Sequence, residues 1–254
     1  MSSRSADLAK ALRRALIEIH GDTNLPRVLS GHRSDGLPAD SPHVAFVACP
    51  FVGHKHADGS VQGLAVVLPR TLAPAERDTL LRLIARWEKT RALDDGTLEL
   101  GVRDGRPLTM RLKRVDVTSK TSLSPGRWCR PARSFVTATP IVLDRFPGNL
   151  RSNLDRTAHK AAIEAQGSIA DACERIGLPR PLSVEVSSAP LIPGAQPARA
   201  FSPQSRGGRQ PPRVRVHAQI TFADKVRGPV ILGAGRFFGL GLCLPLPESD
   251  DAQS

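Results

Sequence analysis

SPHVAFVACPFVGHKHADGSVQGLAVVLP, running from Ser41 to Pro69, is the stretch whose reading decides the fold. Two apolar, valine-rich runs, 44–52 and 61–68, flank the polar loop Gly53-His54-Lys55-His56-Ala57-Asp58-Gly59. Both runs are too short for an independent helix and are bounded by Gly and Pro, so they predict two strands. The loop carries two of the chain's seven histidines, with His43 one strand-length upstream and His32 before that. Imidazole, with an ordinary pKa of about 6.5, serves as either acid or base near neutral pH. A histidine-rich turn on a basic chain therefore points to proton transfer on a polyanion.

Upstream of this stretch, Leu8, Leu12, Ala15, Leu16 and Ile19 recur at helical spacing and predict a helix over 6–19. Residues 24–41, with two prolines and two glycines, read as a linker. Downstream, Pro74 and Glu76 open a helix with the apolar stripe Leu80, Leu81, Leu83, Ile84 and Trp87, ending near Lys89 and Arg91. Strands are predicted at 97–102 and 108–117. Strand, helix, strand, strand fits a split βαβ, ferredoxin-like unit.

The basic segment 119–133 then reads as a boundary, after which a similar order recurs: a strand at 135–143, helix at 153–176, and strands at 182–187 and 213–222. The expected class is α+β, with tandem ferredoxin-like (split βαβ, RRM-like) units and a C-terminal glycine-rich loop. The segments are an N-terminal helix and linker (1–40), a first unit with the histidine loop (41–130), a second unit (131–247) and a tail (248–254).

Composition narrows the partner. The 254 residues carry 36 Lys and Arg against 24 Asp and Glu, a net charge of +12, and the isoelectric point is near 10.7. Such a balance makes nucleic acid the default partner. Tyrosine is absent and aromatics are few, which argues against a base-stacking sheet and for recognition of backbone and shape. Four scattered cysteines without a C-x-x-C pair suit a reduced compartment rather than a disulfide or zinc framework. With no apolar run of about 20 residues and no signal-peptide core, the expected location is cytoplasmic.

The second landmark is Gly233-Ala-Gly235-Arg236-Phe-Phe-Gly239-Leu-Gly241. Glycines at this density let a backbone approach a phosphate, and they equally suit a turn in a final strand. It is neither a P-loop nor a Rossmann fingerprint, since no Gly-Lys-Ser/Thr and no helix follow. The combination of SGHRSDG (30–36), PHVA (42–45), VGHKHADG (52–59), TPIVLDRFP (139–147) and GPVILGAGRFFGLG (228–241) resembles the RAMP superfamily of CRISPR-associated proteins. Within it, the chain is similar to the type I-U (I-G) subunit that fuses a crRNA handle-binding module to a repeat-cleaving endoribonuclease. Only some thirty residues precede the similar region, so the chain is expected to be the repeat-processing half.

That resemblance implies binding and metal-independent cleavage of CRISPR repeat RNA, by attack of a 2′-hydroxyl on the adjacent phosphate, within a type I interference complex and without a cofactor. It implies catalytic roles for His56 first, then His54, with His43 and Lys55 as accessories. It also makes His32, Arg130, Arg133, Arg145, Arg209, Arg213, Gly233, Gly235, Arg236, Gly239 and Gly241 candidates for RNA contact. Trp128, between Arg127 and Arg130, suits either stacking of a base or filling of a core gap. Two other readings stand beside this one. His54-x-His56-x-Asp58 matches the start of a metallo-β-lactamase-type nuclease motif, with Gly59 where its last histidine belongs. A non-catalytic crRNA-binding subunit would use the same basic surface.

Overall fold

The structure is a computed structural model that describes residues 4–21, 25–31, 43–103, 107–115, 122–203 and 212–247. It is a mixed α+β protein with antiparallel sheets. Helix α1 (Ser5–His20) buries Leu8, Leu12 and Leu16 along one stripe and stops at Gly21, whose N–H reaches the Ile17 carbonyl. The short helix α2 (Arg27–Ser30) follows; the Arg13 guanidinium of α1 donates to the Ser30 carbonyl at 2.6 Å. Strand β1 (Ala45–Pro50) pairs antiparallel with β2 (Val61–Val67). Helix α3 (Pro74–Arg91) and the hairpin of β3 (Leu98–Val102) and β4 (Leu108–Leu112) complete the first half.

Strand β1 is buried on both faces. Phe46 and Ala48 join a core with Leu12 and Leu16 of α1, Leu80 and Trp87 of α3, and Leu98 and Leu100 of β3. Ala45, Val47 and Cys49 face the other way, into a core shared with the second half of the chain. The unbroken apolar run of β1 follows from this, because a strand covered on both sides has no polar face to alternate.

The second half contains α4 (Pro125–Cys129), β5 (Pro131–Thr137), β6 (Ile141–Val142), α5 (Asp155–Arg175), β7 (Ser183–Ser187), β8 (Arg215–Arg227), β9 (Val230–Ile231) and β10 (Leu242–Pro245). Strand β8 lies between β5 and β7, β10 pairs with the outer edge of β5, and β9 lies beyond β10. Helix α5 joins β5–β6 to β7, which makes a split βαβ arrangement. It packs Ala165, Ile169 and Cys173 on Phe135, Ile220 and Phe222. The opposite sheet face meets β1 through Val136, Ile231, Leu242 and Leu244. The layers are therefore α5, the larger sheet, β1–β2, and then α1 with α3 and the β3–β4 hairpin.

Three expectations change. The first half does not form one sheet: among the described residues β1–β2 and β3–β4 are separate two-stranded ladders, both packed in the core around α1. Periodicity names the strands, but tertiary contacts choose which edges meet. The predicted strand 135–143 is broken between β5 and β6, each of which pairs with β8. The boundary segment contains α4 and runs directly into β5; its Trp128 is buried, with Nε1 donating to the Ser122 carbonyl at 3.0 Å. Trp128 is thus a core plug and not a base-stacking surface. The proposed tail 248–254 lies outside the described residues.

Because β1 is the common wall of two cores, Phe46→Ala is expected to cost about 3–5 kcal/mol in urea unfolding. The same truncation at Leu81, exposed on α3, should stay within about 1 kcal/mol. Equal losses at the two sites would refute the central placement of β1.

Candidate active site

Strand β1 ends at Pro50 and the chain enters the histidine loop. The loop is closed by the Phe51 N–H to the Ser60 carbonyl (2.8 Å) and the Gly59 N–H to the Phe51 carbonyl (3.0 Å). The Gly53 N–H reaches across to the Pro193 carbonyl at 2.9 Å, which ties the loop to the second half. The Asp58 carboxylate accepts the Ser60 N–H at 2.8 Å, an Asx turn that holds its pKa below the ordinary carboxylate range.

His54, Lys55 and His56 are all exposed on this frame. The imidazole centroids of His54 and His56 are 5.4 Å apart, and His54 also lies 5.7 Å from the Phe51 ring. The His56 N–H donates to Nδ1 of His54 at 3.2 Å. A neutral His54 therefore carries its proton on Nε2. Among the described residues the His56 imidazole makes no hydrogen bond, which leaves both nitrogens available. Beside the loop is a cavity of about 680 Å³ lined by His54, Lys55, Arg127, Arg130, Pro193 and Leu244, among others. Arg127 donates to the Val52 carbonyl and Arg130 to the Pro245 carbonyl at 2.9 Å, so both guanidiniums are anchored at the cavity.

His43 is not part of this cluster. It precedes β1 while His54 follows it, and at ~3.3 Å per residue the strand separates them by roughly 20 Å. Its ring stacks on Phe237 at 3.4 Å, and the Arg236 guanidinium lies 4.2 Å from the centroid of that same Phe237 ring. Of the four histidines expected together, then, two meet, one lies at the far end of β1, and His32 is outside the described residues.

The glycine-rich segment is internal. Gly233, Gly235, Gly239 and Gly241 are all buried. A Cβ on Gly241, at φ 75°, would stand 2.0 Å from the Leu232 carbonyl oxygen; one on Gly239, at φ 71°, would press on the backbone of Phe46, Val47 and Ala48. Gly239 seats the turn Arg236–Phe238 against β1, and Gly241 packs the chain after it on Leu232. Arg236 itself is half-buried, which lowers its pKa. Arg133 and Arg145 are exposed, the first donating to the Ala223 carbonyl and the second 4.0 Å from Asp171. Arg213 donates to the Asp144 carbonyl at 2.6 Å, and Arg209 lies outside the described residues.

The sequence marks Arg127 only as part of a basic segment and does not mark Arg70, Arg175 and Arg227, which the fold brings near Arg236. Nothing in their spacing marks them. Among the described residues no group of three His, Cys, Asp or Glu gathers to hold a metal ion, and no helix is long and apolar enough to cross a membrane.

These features define a basic α+β protein whose two-faced central strand presents a histidine pair at one end and an arginine-rich cleft at the other. The chain belongs to the GSU0054 family of CRISPR-associated proteins, whose model matches residues 4–245. Comparison with curated proteins and with solved structures returned no match.

His217 is fully buried, accepting from the Thr137 hydroxyl at Nδ1 and donating from Nε2 to the Gln196 carbonyl, both at 2.9 Å. Burial lowers its pKa from the ordinary 6.5. The unfolded chain therefore takes up this proton first, and the stability His217 contributes is complete above about pH 6.5 and declines as pH falls through the folded value. The stability gap between wild type and His217→Gln is expected to narrow from pH 7 to pH 5 in thermal unfolding; a constant gap would show that His217 is not held neutral.

Proposed function

We propose that this protein is an endoribonuclease of a CRISPR system that cuts repeat RNA by a metal-independent route and binds the resulting crRNA. One observation carries the reading: His54 and His56 are an exposed pair with rings 5.4 Å apart, and His54 lines a cavity together with Lys55, Arg127 and Arg130. A 2′-hydroxyl attacks the adjacent phosphorus, and the bond to the 5′-oxygen breaks, leaving a 2′,3′-cyclic phosphate and a 5′-hydroxyl. His56, with its nitrogens available, takes the 2′-hydroxyl proton. His54 donates Nε2–H to a non-bridging phosphate oxygen. The Lys55 ammonium offsets the developing charge and supplies a proton to the departing oxygen.

Arg130 and Arg127 hold the neighbouring backbone, and Arg133, Arg145, Arg213 and Arg236 extend the charged track. In this reading His43 contributes to RNA binding away from the scissile phosphate. The strand order β10-β5-β8-β7 with the α5 crossover supports kinship of the second half with ferredoxin-like RNA-binding units. The chain then corresponds to the repeat-cleaving half of the type I-U/I-G fused subunit. Its partners are repeat RNA and other subunits of a type I interference complex, in the cytoplasm.

A second reading, a non-catalytic crRNA-binding subunit, is favoured by the separation of His43 from the loop. Cleavage of the cognate repeat RNA in EDTA distinguishes the two. His56→Ala is expected to lose about 10²–10⁴-fold in single-turnover rate, with a smaller loss in His54→Ala. Tight binding without cleavage by the wild type would establish the binding subunit instead. Affinity should fall linearly on a log–log plot against salt, as counterions released by arginine–phosphate contacts require; a flat response would count against a backbone-tracking surface.

A further inference from the structure

At the far end of β1 from the histidine loop, a cleft of about 610 Å³ runs between the first half and the C-terminal end of α5. Arg70, Arg175, Arg227 and Arg236 stand around it, with Ala45, Val67, Ile176 and Ile231 among its apolar lining, and no lining residue is acidic. Arg175 is paired with Asp144 at 2.6 Å. Among the described residues none of Arg70, Arg227 and Arg236 has a carboxylate within salt-bridge distance.

Arg70 and Arg236 are held in place. The Arg70 guanidinium donates to the carbonyls of Arg227 and Gly228, the latter at 3.2 Å, and Arg236 donates to the Gly233 carbonyl at 3.2 Å. A guanidinium has five N–H groups, so each arginine keeps donors for an anion after making these bonds. Within the same cleft the His43 ring, the Phe237 ring and the Arg236 guanidinium form a small stack. Charge on the walls, an apolar floor and a planar stack match a ligand with a phosphate and a flat heterocycle joined by a short linker.

We propose that this cleft is a binding site for one unpaired nucleotide of an RNA strand, separate from the histidine loop. The nucleobase extends the His43–Phe237–Arg236 stack, as bases do on aromatic rings and guanidinium planes. Its phosphate is bound by Arg70 and Arg227, with Arg175 at the margin. The choice of RNA as the source rests on the reading of this protein as one that handles RNA. The site itself makes no use of cleavage. With the two sites at opposite ends of a strand buried on both faces, a bound RNA would be gripped at two points at fixed separation.

Equilibrium dialysis of the purified full chain against UMP, AMP, uridine and inorganic phosphate tests this without any cleavage step. Both nucleotides are expected to bind at least tenfold more tightly than uridine or inorganic phosphate. Arg70→Ala/Arg227→Ala should weaken them at least tenfold while keeping a cooperative thermal unfolding transition, with a midpoint lowered at most by the loss of the Arg70 hydrogen bonds to the Arg227 and Gly228 carbonyls. Phe237→Leu should weaken nucleotide but not phosphate. Phosphate binding as well as the nucleotides would reduce the cleft to a plain anion patch and overturn the proposal. Undiminished nucleotide binding in the double variant, or no nucleotide binding by the wild type, would overturn it too. Because binding alone is measured, loss of this site and loss of the catalytic reading are distinguishable.

Discussion

Burial of β1 on both faces is the constraint on which the rest of the molecule depends. Phe46 and Ala48 close the core around α1, while Val47 and Cys49 close the core against the larger sheet. Each large apolar side chain so buried contributes on the order of 1.5–3 kcal/mol. The larger consequence is geometric: one strand is the shared wall of two cores, and whatever lies at its two ends is held at a fixed spacing. The histidine loop leaves one end, and His43 precedes the other.

Electrostatics builds on that frame in an economical way. Carboxylates are outnumbered by Lys and Arg, 24 to 36, so many guanidiniums find main-chain carbonyls instead. Arg70, Arg127, Arg130, Arg133, Arg213 and Arg215 all do so. A neutral carbonyl anchors the fork without cancelling its charge, whereas a carboxylate would cancel it. The surface thus holds oriented positive charge whose side chains are ordered on folding and not on binding, which suits a polyanion with evenly spaced phosphates.

The glycine-rich segment shows how function and packing share a motif. Its glycines are required by close backbone approaches, most tightly at Gly241 against Leu232, and Gly239 seats the turn Arg236–Phe238 on β1. Its side chains then face a cleft. The packing of glycine and the chemistry of arginine are separate contributions of one stretch, and the first makes the second possible.

Local pattern was enough to place α1, β1, β2, α3 and α5 within a residue or two, because apolar period and Gly/Pro punctuation are properties of neighbouring residues. It also marked the histidine loop, since two histidines between glycines are adjacent in the chain. The joining of ladders was beyond it: β3 and β4 do not add to the β1–β2 pair, and β5 is broken before β6, because edge contacts depend on how α1 and α5 fill the space between strands. The predicted strand between His43 and His54 already implied their parting, since it converts eleven residues of chain into opposite ends of one strand; that this strand is the molecule's central wall only the fold decided. The gathering of Arg70, Arg175, Arg227 and Arg236 was equally invisible, since those residues are distant in sequence and only the folded path brings them to one cleft.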